Sequence, residues 1–322
     1  MKIKNLLLAV VTLFVAAAVI GCGNSADDQK ESVSSELFYE NELTTIGADP
    51  DVIYITEGED AGYYYMYITS DEIAGSGFLA YKSKDLVNWT CTGVALKSEG
   101  TYDEATGYTT VSYAFSSYWA PEVIYDKDTK LYYMFYTANR YDTAFETGLN
   151  FYGDIAVSES PAGPFVQYNK YLGKDPVVVD EEKKIITYEP VYDFKNMSKD
   201  HPLYEAESDG YMKIIDLNPF VDPATGKKYA YFCHDLGKAV AIAESNIYVM
   251  ELNDDYTANY DEIYRLTAPN CVELDSVADM SMNEGSVNEA PYMLYNEESG
   301  LYYLLYSANS YYQKTFSVRV AV

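Results

Sequence analysis

The amino-acid sequence predicts an all-β fold made of repeated units, and three observations support this prediction. The chain has 322 residues, of which 48% are hydrophobic, so a sizeable core can form. It contains 36 tyrosines, which favour strands, and many of them stand in short runs. An acid or amide beside proline, a gap and an aromatic run follow one another four times. Such a recurring unit is typical of β-propeller blades.

Each of the four units continues from its acid or amide through an aromatic strand to a further strand. The aromatic runs cover residues 63–67, 131–136, 229–232 and 301–306. Turn signals separate the strands, and no convincing long amphipathic helix interrupts them. At roughly 70–100 residues, the units exceed the usual 40–50 residues of a propeller repeat. A β-sandwich would also have short strands, but it would not place an acid before the same strand of each unit.

Three acidic residues stand beside a proline ahead of an aromatic strand: Asp49, Glu122 and Glu289. In a propeller the innermost strand of each blade runs along the central channel, so residues that precede these strands converge at one mouth. Three carboxyl groups around one point supply what cleavage of a glycosidic bond needs. We therefore predict a sugar-cleaving site made of these residues, placed alike in their units.

The N-terminus has the pattern of a targeting segment. Lys2 and Lys4 precede an uncharged run over residues 6–20, which is shorter than the about 20 residues that span a bilayer. The run ends at Val19-Ile20-Gly21-Cys22, which is typical of a bacterial lipoprotein cleavage box. An uncleaved membrane anchor is the alternative. Both interpretations place the rest of the chain outside the cytoplasm.

The predicted organisation has three parts. Residues 1–22 form a lipoprotein signal peptide that ends at a lipidated Cys22, and residues 23–36 form a polar, flexible tether. Residues 37–322 form the propeller, which we expect to be incomplete at its C-terminus because a circular propeller should close with a further blade. The expected location is the outer face of a bacterial membrane, with lipid as the anchor.

Charge and composition exclude several classes of function. The formal net charge of −28 would repel nucleic acid or unesterified pectin, but not a neutral polysaccharide. There is no phosphate-binding glycine-rich loop or Gly-x-Ser-x-Gly motif. The cysteines and histidines show no zinc spacing, and both His201 and His234 are expected to be structural or surface residues.

Cysteine usage predicts no disulfide framework. With Cys22 assigned to lipid, an odd number of cysteines remains. Of these, Cys233 lies in an apolar run and is expected to be a small core residue. One disulfide with one free thiol stays open as an alternative. The remaining cysteines are Cys91, Cys233 and Cys271.

Several motifs, taken in order, resemble glycoside hydrolase family 43 over about Leu43 to Val322. They are Ala48-Asp49-Pro50-Asp51-Val52, Tyr81 to Trp89, Trp119-Ala120-Pro121-Glu122-Val123, Ser158 to Phe165, and Asn288-Glu289-Ala290-Pro291-Tyr292 with its following strand. The chain has Glu122 where the family often has aspartate, and Glu289-Ala290-Pro291 where the family often has Glu-Gly-Pro. Both departures keep a carboxylate.

The resemblance implies a five-bladed β-propeller whose last blade is incomplete in this sequence. It implies hydrolysis with inversion, in which Asp49 is the general base, Glu289 the general acid and Glu122 the pKa-modulating residue. The substrates implied are neutral polysaccharides that contain arabinose or xylose, cleaved by a monomeric enzyme. No cofactor is needed for the chemistry, and the family's channel histidine, often linked to a calcium ion, has no counterpart in His201 or His234. A structural calcium ion in the central channel is nevertheless compatible with the family.

Alternatives remain at individual positions and for the whole function. Asp51 competes with Asp49 as base, and Glu284 competes with Glu289 as acid. Asp216 holds the matching place in the third unit and is interpreted as a loop cap or a substrate contact. Trp119 either stacks on a sugar ring or packs between blades. A non-catalytic, glycan-binding propeller is the main alternative function, and sucrose- or fructan-cleaving relatives rank lower because their motifs are absent.

Overall fold

The computed structural model describes residues 47–69, 77–97, 100–111, 114–140, 151–192, 197–202, 213–235, 245–267, 287–309 and 316–322. The predicted signal peptide, Cys22, the tether and Cys271 lie outside these ranges, as does Glu284. The proposed boundaries of the N-terminal parts therefore stay predictions.

Blade 1 and blade 2 are four-stranded antiparallel sheets. Blade 1 consists of β1 (Ala48–Tyr54), β2 (Tyr64–Thr69), β3 (Gly77–Ser83) and β4 (Thr90–Lys97). Two short strands follow, β5 (Thr101–Tyr102) and β6 (Thr109–Thr110). Blade 2 consists of β7 (Ala114–Asp126), β8 (Leu131–Arg140), β9 (Phe151–Ser158) and β10 (Val166–Gln167).

A side sheet combines the segment between blades 1 and 2 with the segment between blades 2 and 3. The one-turn helix α1 (Tyr168–Tyr171) leads to β11 (Val177–Asp180) and β12 (Ile185–Thr187), which join β5 and β6 in the order β11-β12-β6-β5. The pairing of β12 with β6 is parallel. This small sheet was not predicted from the sequence.

Blade 3 consists of β13 (Lys213–Val221), β14 (Lys228–Asp235), β15 (Ser245–Leu252) and β16 (Ala258–Arg265). Blade 4 has three strands, β17 (Asn288–Asn296), β18 (Leu301–Ala308) and β19 (Ser317–Ala321). The prediction of an all-β propeller is confirmed, and the described residues form four blades.

Successive blades pack against each other through their aromatic strands. Tyr67, Phe78 and Tyr136 lie in a buried cluster between blades 1 and 2, where Phe78 meets Tyr136 edge to face at 5.8 Å. Phe135 and Phe232 belong to a second cluster between blades 2 and 3. Because tyrosine offers a large apolar ring with a polar tip, it fills such interfaces while its hydroxyl reaches a backbone partner. Tyr67 does this by donating to Pro161 O at 2.6 Å.

A third, smaller cluster joins blades 3 and 4. It contains Cys233, which is fully buried and donates to Asn288 O at 3.3 Å, so the prediction that Cys233 is a small core residue is confirmed. Within the ranges that the structure covers, neither Cys91 nor Cys233 forms a disulfide. His234 is buried and meets the Tyr248 ring at 5.5 Å, as expected of a structural histidine.

Candidate active site at the channel mouth

The innermost strand of each of the four described blades contains a bulge at the same place. The pairing of the first strand with the second shifts its register once in each of blades 1, 3 and 4, and one of the three shifts in blade 2 falls at the corresponding place. A non-glycine residue with positive φ lies inside each of these shifts. These four residues are Asp49 (φ 48°), Ala120 (φ 44°), Asp216 (φ 57°) and Ala290 (φ 51°).

Local sequence explains part of this geometry. In three blades the positive-φ residue precedes proline, which has no backbone N–H to offer to the sheet and is tolerated at bulges. Aspartate enters this region of φ more readily than most residues, whereas alanine is held there by its surroundings. The bulge turns the strand, and its residues face the mouth of the channel.

The bulges correct one prediction from the sequence. The three predicted acids do not occupy matching positions: Asp49 is the bulge residue itself, Glu122 follows a bulge residue by two positions, and Glu289 precedes one. The true counterpart of Asp49 is Asp216 in blade 3. The acid stands before proline in one motif and after it in another, so an alignment on proline hides this offset.

A cavity of about 190 Å³ opens where the four bulges meet. Its acidic lining residues are Asp49, Glu122 and Asp216, contributed by blades 1, 2 and 3. Glu289 is not among the lining residues, but the next residue, Ala290, is. The cavity thus gathers the predicted base, the predicted modulator and Asp216, with the predicted acid one residue from its wall.

Asp216 links the cavity to blade 4. Its Oδ2 accepts a hydrogen bond of 3.0 Å from Ala290 N. Burial raises the pKa of Asp216 to about 6, the Ala290 N–H opposes this rise, and the charge of Asp49 adds to it. A carboxyl group with this pKa, next to another acid, has the electrostatic character of a functional residue.

Below the bulges a second layer of side chains joins neighbouring blades across the channel. Asp51 Oδ2 accepts from Val123 N at 2.8 Å. Glu122 Oε2 accepts from Asn218 Nδ2 at 3.0 Å. Asn218 Oδ1 in turn accepts from Met293 N at 2.9 Å. The acceptor residues Asp51, Glu122 and Asn218 each follow the bulge residue of their strand by two positions, so this layer repeats from blade to blade.

Glu122 lies between two cavities. It lines the mouth cavity, and it also lines a channel cavity of about 440 Å³ together with Asp51 and Asn218. Burial raises the pKa of Glu122 well above its ordinary value, the charge of Asp51 adds to this, and the Asn218 hydrogen bond opposes it. Burial likewise raises the pKa of Asp51 to about 7. Glu122 and Asp51 therefore share a poorly solvated environment.

The calcium ion that the family resemblance allowed stays a prediction. Among the described residues, no three His, Cys, Asp or Glu side chains are arranged to hold a metal ion.

Trp119 packs within blade 2. Its ring lies 4.4 Å from that of Phe151 on β9, and it is not among the residues that line the mouth cavity. This contact lies within one blade, whereas the alternative predicted from the sequence was packing between blades, and a contact of Trp119 with sugar stays a prediction.

Comparison with known proteins agrees with the fold. Residues 43–184 match the family model described as glycosyl hydrolases family 43. Over these residues the sequence is that of a family 43 glycoside hydrolase. The matched residues include Asp49 and Glu122, whereas Asp216 and Glu289 lie beyond them.

Solved structures of family 43 hydrolases share the fold. A thermostable family-43 glycoside hydrolase is 26% identical with a TM-score of 0.55, and the match covers 87% of this chain and 69% of that chain. An endo-1,4-β-xylanase from Bacteroides thetaiotaomicron VPI-5482 is 26% identical with a TM-score of 0.53, over 85% of this chain and 67% of that one. A search of curated proteins gave no match.

Proposed function

We propose that this family 43 hydrolase cleaves O-glycosidic bonds in plant polysaccharides that contain arabinose or xylose. The observation that carries the proposal is the mouth cavity, where acids of three blades meet beside Glu289 of the fourth. A structural relative named as an endo-1,4-β-xylanase supports the xylose-containing class. The net charge of −28 favours a neutral polysaccharide over an acidic one. The candidate activities are α-L-arabinofuranosidase, β-xylosidase and endo-arabinanase.

In the proposed mechanism Asp49 is the general base. Its side chain is exposed at the cavity, where it can contact a water molecule, and its Oδ2 accepts from Thr69 Oγ1 at 2.8 Å. Asp49 takes a proton from this water as the water oxygen bonds to the anomeric carbon. The bond from that carbon to the leaving oxygen breaks, and the configuration inverts.

Glu289 is the proposed general acid. It gives its proton to the leaving oxygen, so each turnover ends with a protonated Asp49 and an ionised Glu289, which exchange protons with solvent. Glu289 is partly exposed and lies next to Ala290 of the cavity wall. An acid and a base on different blades can leave room between them for the attacking water.

We assign the modulating role to Asp216 rather than to Glu122. The modulating role of Glu122 was implied by the resemblance of its Trp-Ala-Pro motif to the family, but the bulges do not give Glu122 the position that matches Asp49. Asp216 has the position that matches Asp49 and binds the peptide N–H directly after Glu289. Its charge can therefore tune the proton affinity of the acid while its hydrogen bond fixes that part of the backbone. Glu122 instead forms part of the wall of the mouth cavity.

The lipid anchor and the location are also proposals. The sequence of residues 19–22 supports a lipid on Cys22 at the outer face of a bacterial membrane. Within the described ranges, none of the helices has the length and apolar character required to cross a bilayer. We propose a monomer that contacts the membrane only through its lipid.

The proposal is tested with a panel of aryl α-L-arabinofuranoside, aryl β-xyloside, xylan and linear arabinan. The purified protein is expected to release aryl alcohol or reducing sugar from at least one of them. For the variant Asp49→Asn, the matched control is Asp128→Asn, because Asp128 is an exposed aspartate in the β7–β8 turn, away from the cavity. Binding to these glycans without any release of product would instead support the non-catalytic, glycan-binding alternative.

A further inference from the structure

Thr69 forms a hydroxyl bridge between the proposed base and the neighbouring blade. It is the last residue of β2, and its Oγ1 lies 2.8 Å from Asp49 Oδ2. The same oxygen accepts a hydrogen bond of 2.9 Å from Ala120 N of blade 2. One hydroxyl group thus contacts the carboxylate of blade 1 and the bulge of blade 2.

The direction of the hydrogen bonds follows from elementary chemistry. The Ala120 N–H can only donate, so the Thr69 oxygen accepts there. A hydroxyl has a single proton, and an ionised carboxylate can only accept. The Thr69 proton therefore points to Asp49 Oδ2 when Asp49 is ionised, which is the state that a general base needs.

The corresponding positions of the next two blades show that this bridge is particular to blade 1. Thr69 pairs across the sheet with Ala48, Thr137 with Trp119, and Cys233 with Ile215. Ala48, Trp119 and Ile215 each directly precede the bulge residue of their strand. Thr137 Oγ1 also accepts from the next bulge, at Asp216 N (3.1 Å), but the bulge residue of its own blade is Ala120, which has no carboxylate.

In blade 3 the arrangement changes. Cys233 donates to Asn288 O, and the Ala290 N–H is bound by the Asp216 carboxylate. Among the described residues at these positions, Thr69 is thus the one that joins a bulge N–H of the next blade to an acid of its own blade. Thr69, Thr137 and Cys233 each contact the next blade, whereas only Thr69 among these three also contacts an acid of its own blade.

We propose that Thr69 is a positioning residue that holds the Asp49 carboxylate toward the attacking water. This inference rests on the proposed function, since it requires Asp49 to be the base. Asp49 is exposed, so without the bridge its side chain could rotate among several orientations in solvent. Displacement of a reacting group by about 1 Å can cost about 100-fold in rate.

The test compares three variants of the full chain. Thr69→Val keeps the shape and removes the hydroxyl, and it is expected to lower kcat about 10- to 100-fold while KM and the affinity for an unreactive oligosaccharide stay within about twofold. Thr69→Ser restores the hydroxyl and should recover most of kcat. Thr187→Val is the control, because Thr187 Oγ1 is buried and donates to Val111 O in the side sheet. It should lose some stability and no activity.

The outcomes separate the inference from the proposed function. A Thr69→Val protein with the kcat of the wild type overturns the positioning role, as does a Thr69→Ser protein as slow as Thr69→Val. If Thr69→Val does not fold, Thr69→Cys takes its place, and its weakly donating thiol should give a kcat between those of the wild type and Asp49→Asn. Normal turnover by Asp49→Asn would refute the proposed function itself.

Discussion

Asp216 Oδ2 accepts its hydrogen bond from the backbone N–H of Ala290, the residue that follows Glu289, at 3.0 Å. A carboxylate of blade 3 thereby holds the backbone of blade 4 next to the proposed acid. Asp216 also lies close enough to Asp49 for the charge of Asp49 to raise the pKa of Asp216. The two bulge acids and the residue beside Glu289 therefore form one electrostatic unit.

The first prediction concerns Asp216→Asn. An asparagine can still accept from Ala290 N through its Oδ1, so the fold should be kept while the charge is lost. We expect kcat to fall about 100-fold, and the basic limb of the pH–kcat profile to move to lower pH, because a negative neighbour no longer favours the protonated acid.

Glu122→Gln is the matched variant for Asp216→Asn. Its amide oxygen can still accept from Asn218, and it removes one charge from the wall of the same cavity. Glu122→Gln should leave the basic limb of the pH–kcat profile closer to that of the wild type than Asp216→Asn does. If the basic limb shifts more in Glu122→Gln than in Asp216→Asn, the modulating residue is Glu122, as predicted from the sequence.

A second prediction concerns stability and pH. Burial raises the pKa of Asp51 to about 7 and that of Glu122 above its ordinary value, so the folded state binds more protons than the unfolded state in this window. The free energy of unfolding should therefore fall as pH rises from about 4 through 7. Asp51→Asn is expected to flatten this slope in urea titrations at several pH values. An unchanged slope would show that Asp51 does not carry the effect.

Asp126 gives a prediction of the opposite sign. Burial opposes its ionisation, but Thr129 N, Lys228 Nζ and Tyr256 OH donate to it and lower its pKa to about 2. Its contribution to stability is present above its unfolded pKa of about 4 and is lost as pH falls toward 2. Lys228→Met should cost about 1.5–3 kcal/mol near neutral pH.

Thermal unfolding of Lys228→Met provides the measurement. Lys183→Met is a suitable control, because Lys183 is largely exposed in its ion pair with Asp180, whereas Lys228 and Asp126 are largely enclosed. A surface pair of this kind contributes about 0–1 kcal/mol. Equal losses in the two variants would contradict the structural role given to the buried pair.

The bulges make a further prediction at Ala120, whose φ is 44°. Valine is β-branched and disfavours positive φ, so Ala120→Val should cost about 1–3 kcal/mol. Ala120→Gly relieves the backbone and should unfold at a temperature close to or above that of the wild type. Ala258→Val on strand β16 is the control for the added volume. If Ala120→Val and Ala258→Val lose the same stability, the backbone strain assigned to Ala120 is contradicted.

The sequence predicted the blades because their aromatic runs are local and periodic. Runs such as Leu131 to Tyr136 became the central strands of sheets, and the turns between them fell where Gly and Asp were grouped. The side sheet escaped prediction for a physical reason. Its strands are two to four residues long, and its parallel pairing joins Thr109 to Ile185, far apart along the chain.

The site was predicted in part. Asp49 and Glu122 both reach the mouth cavity, and Asp216 had been noted as the acid of the third unit, but the proline motifs did not show which acids are equivalent. That equivalence is set by a backbone bulge, which depends on pairing with the next strand. The positive φ that Asp216 shares with Asp49 identifies it, and no sequence pattern encodes that value directly.

The central claim, hydrolysis at the channel mouth with Asp49 as base, is tested most directly by the turnover of Asp49→Asn. On the substrate that the wild-type protein cleaves best, kcat should fall about 100- to 10,000-fold while the affinity for an unreactive oligosaccharide is kept. Asp128→Asn should behave like the wild type. Turnover by Asp49→Asn at the rate of the wild type would contradict the claim.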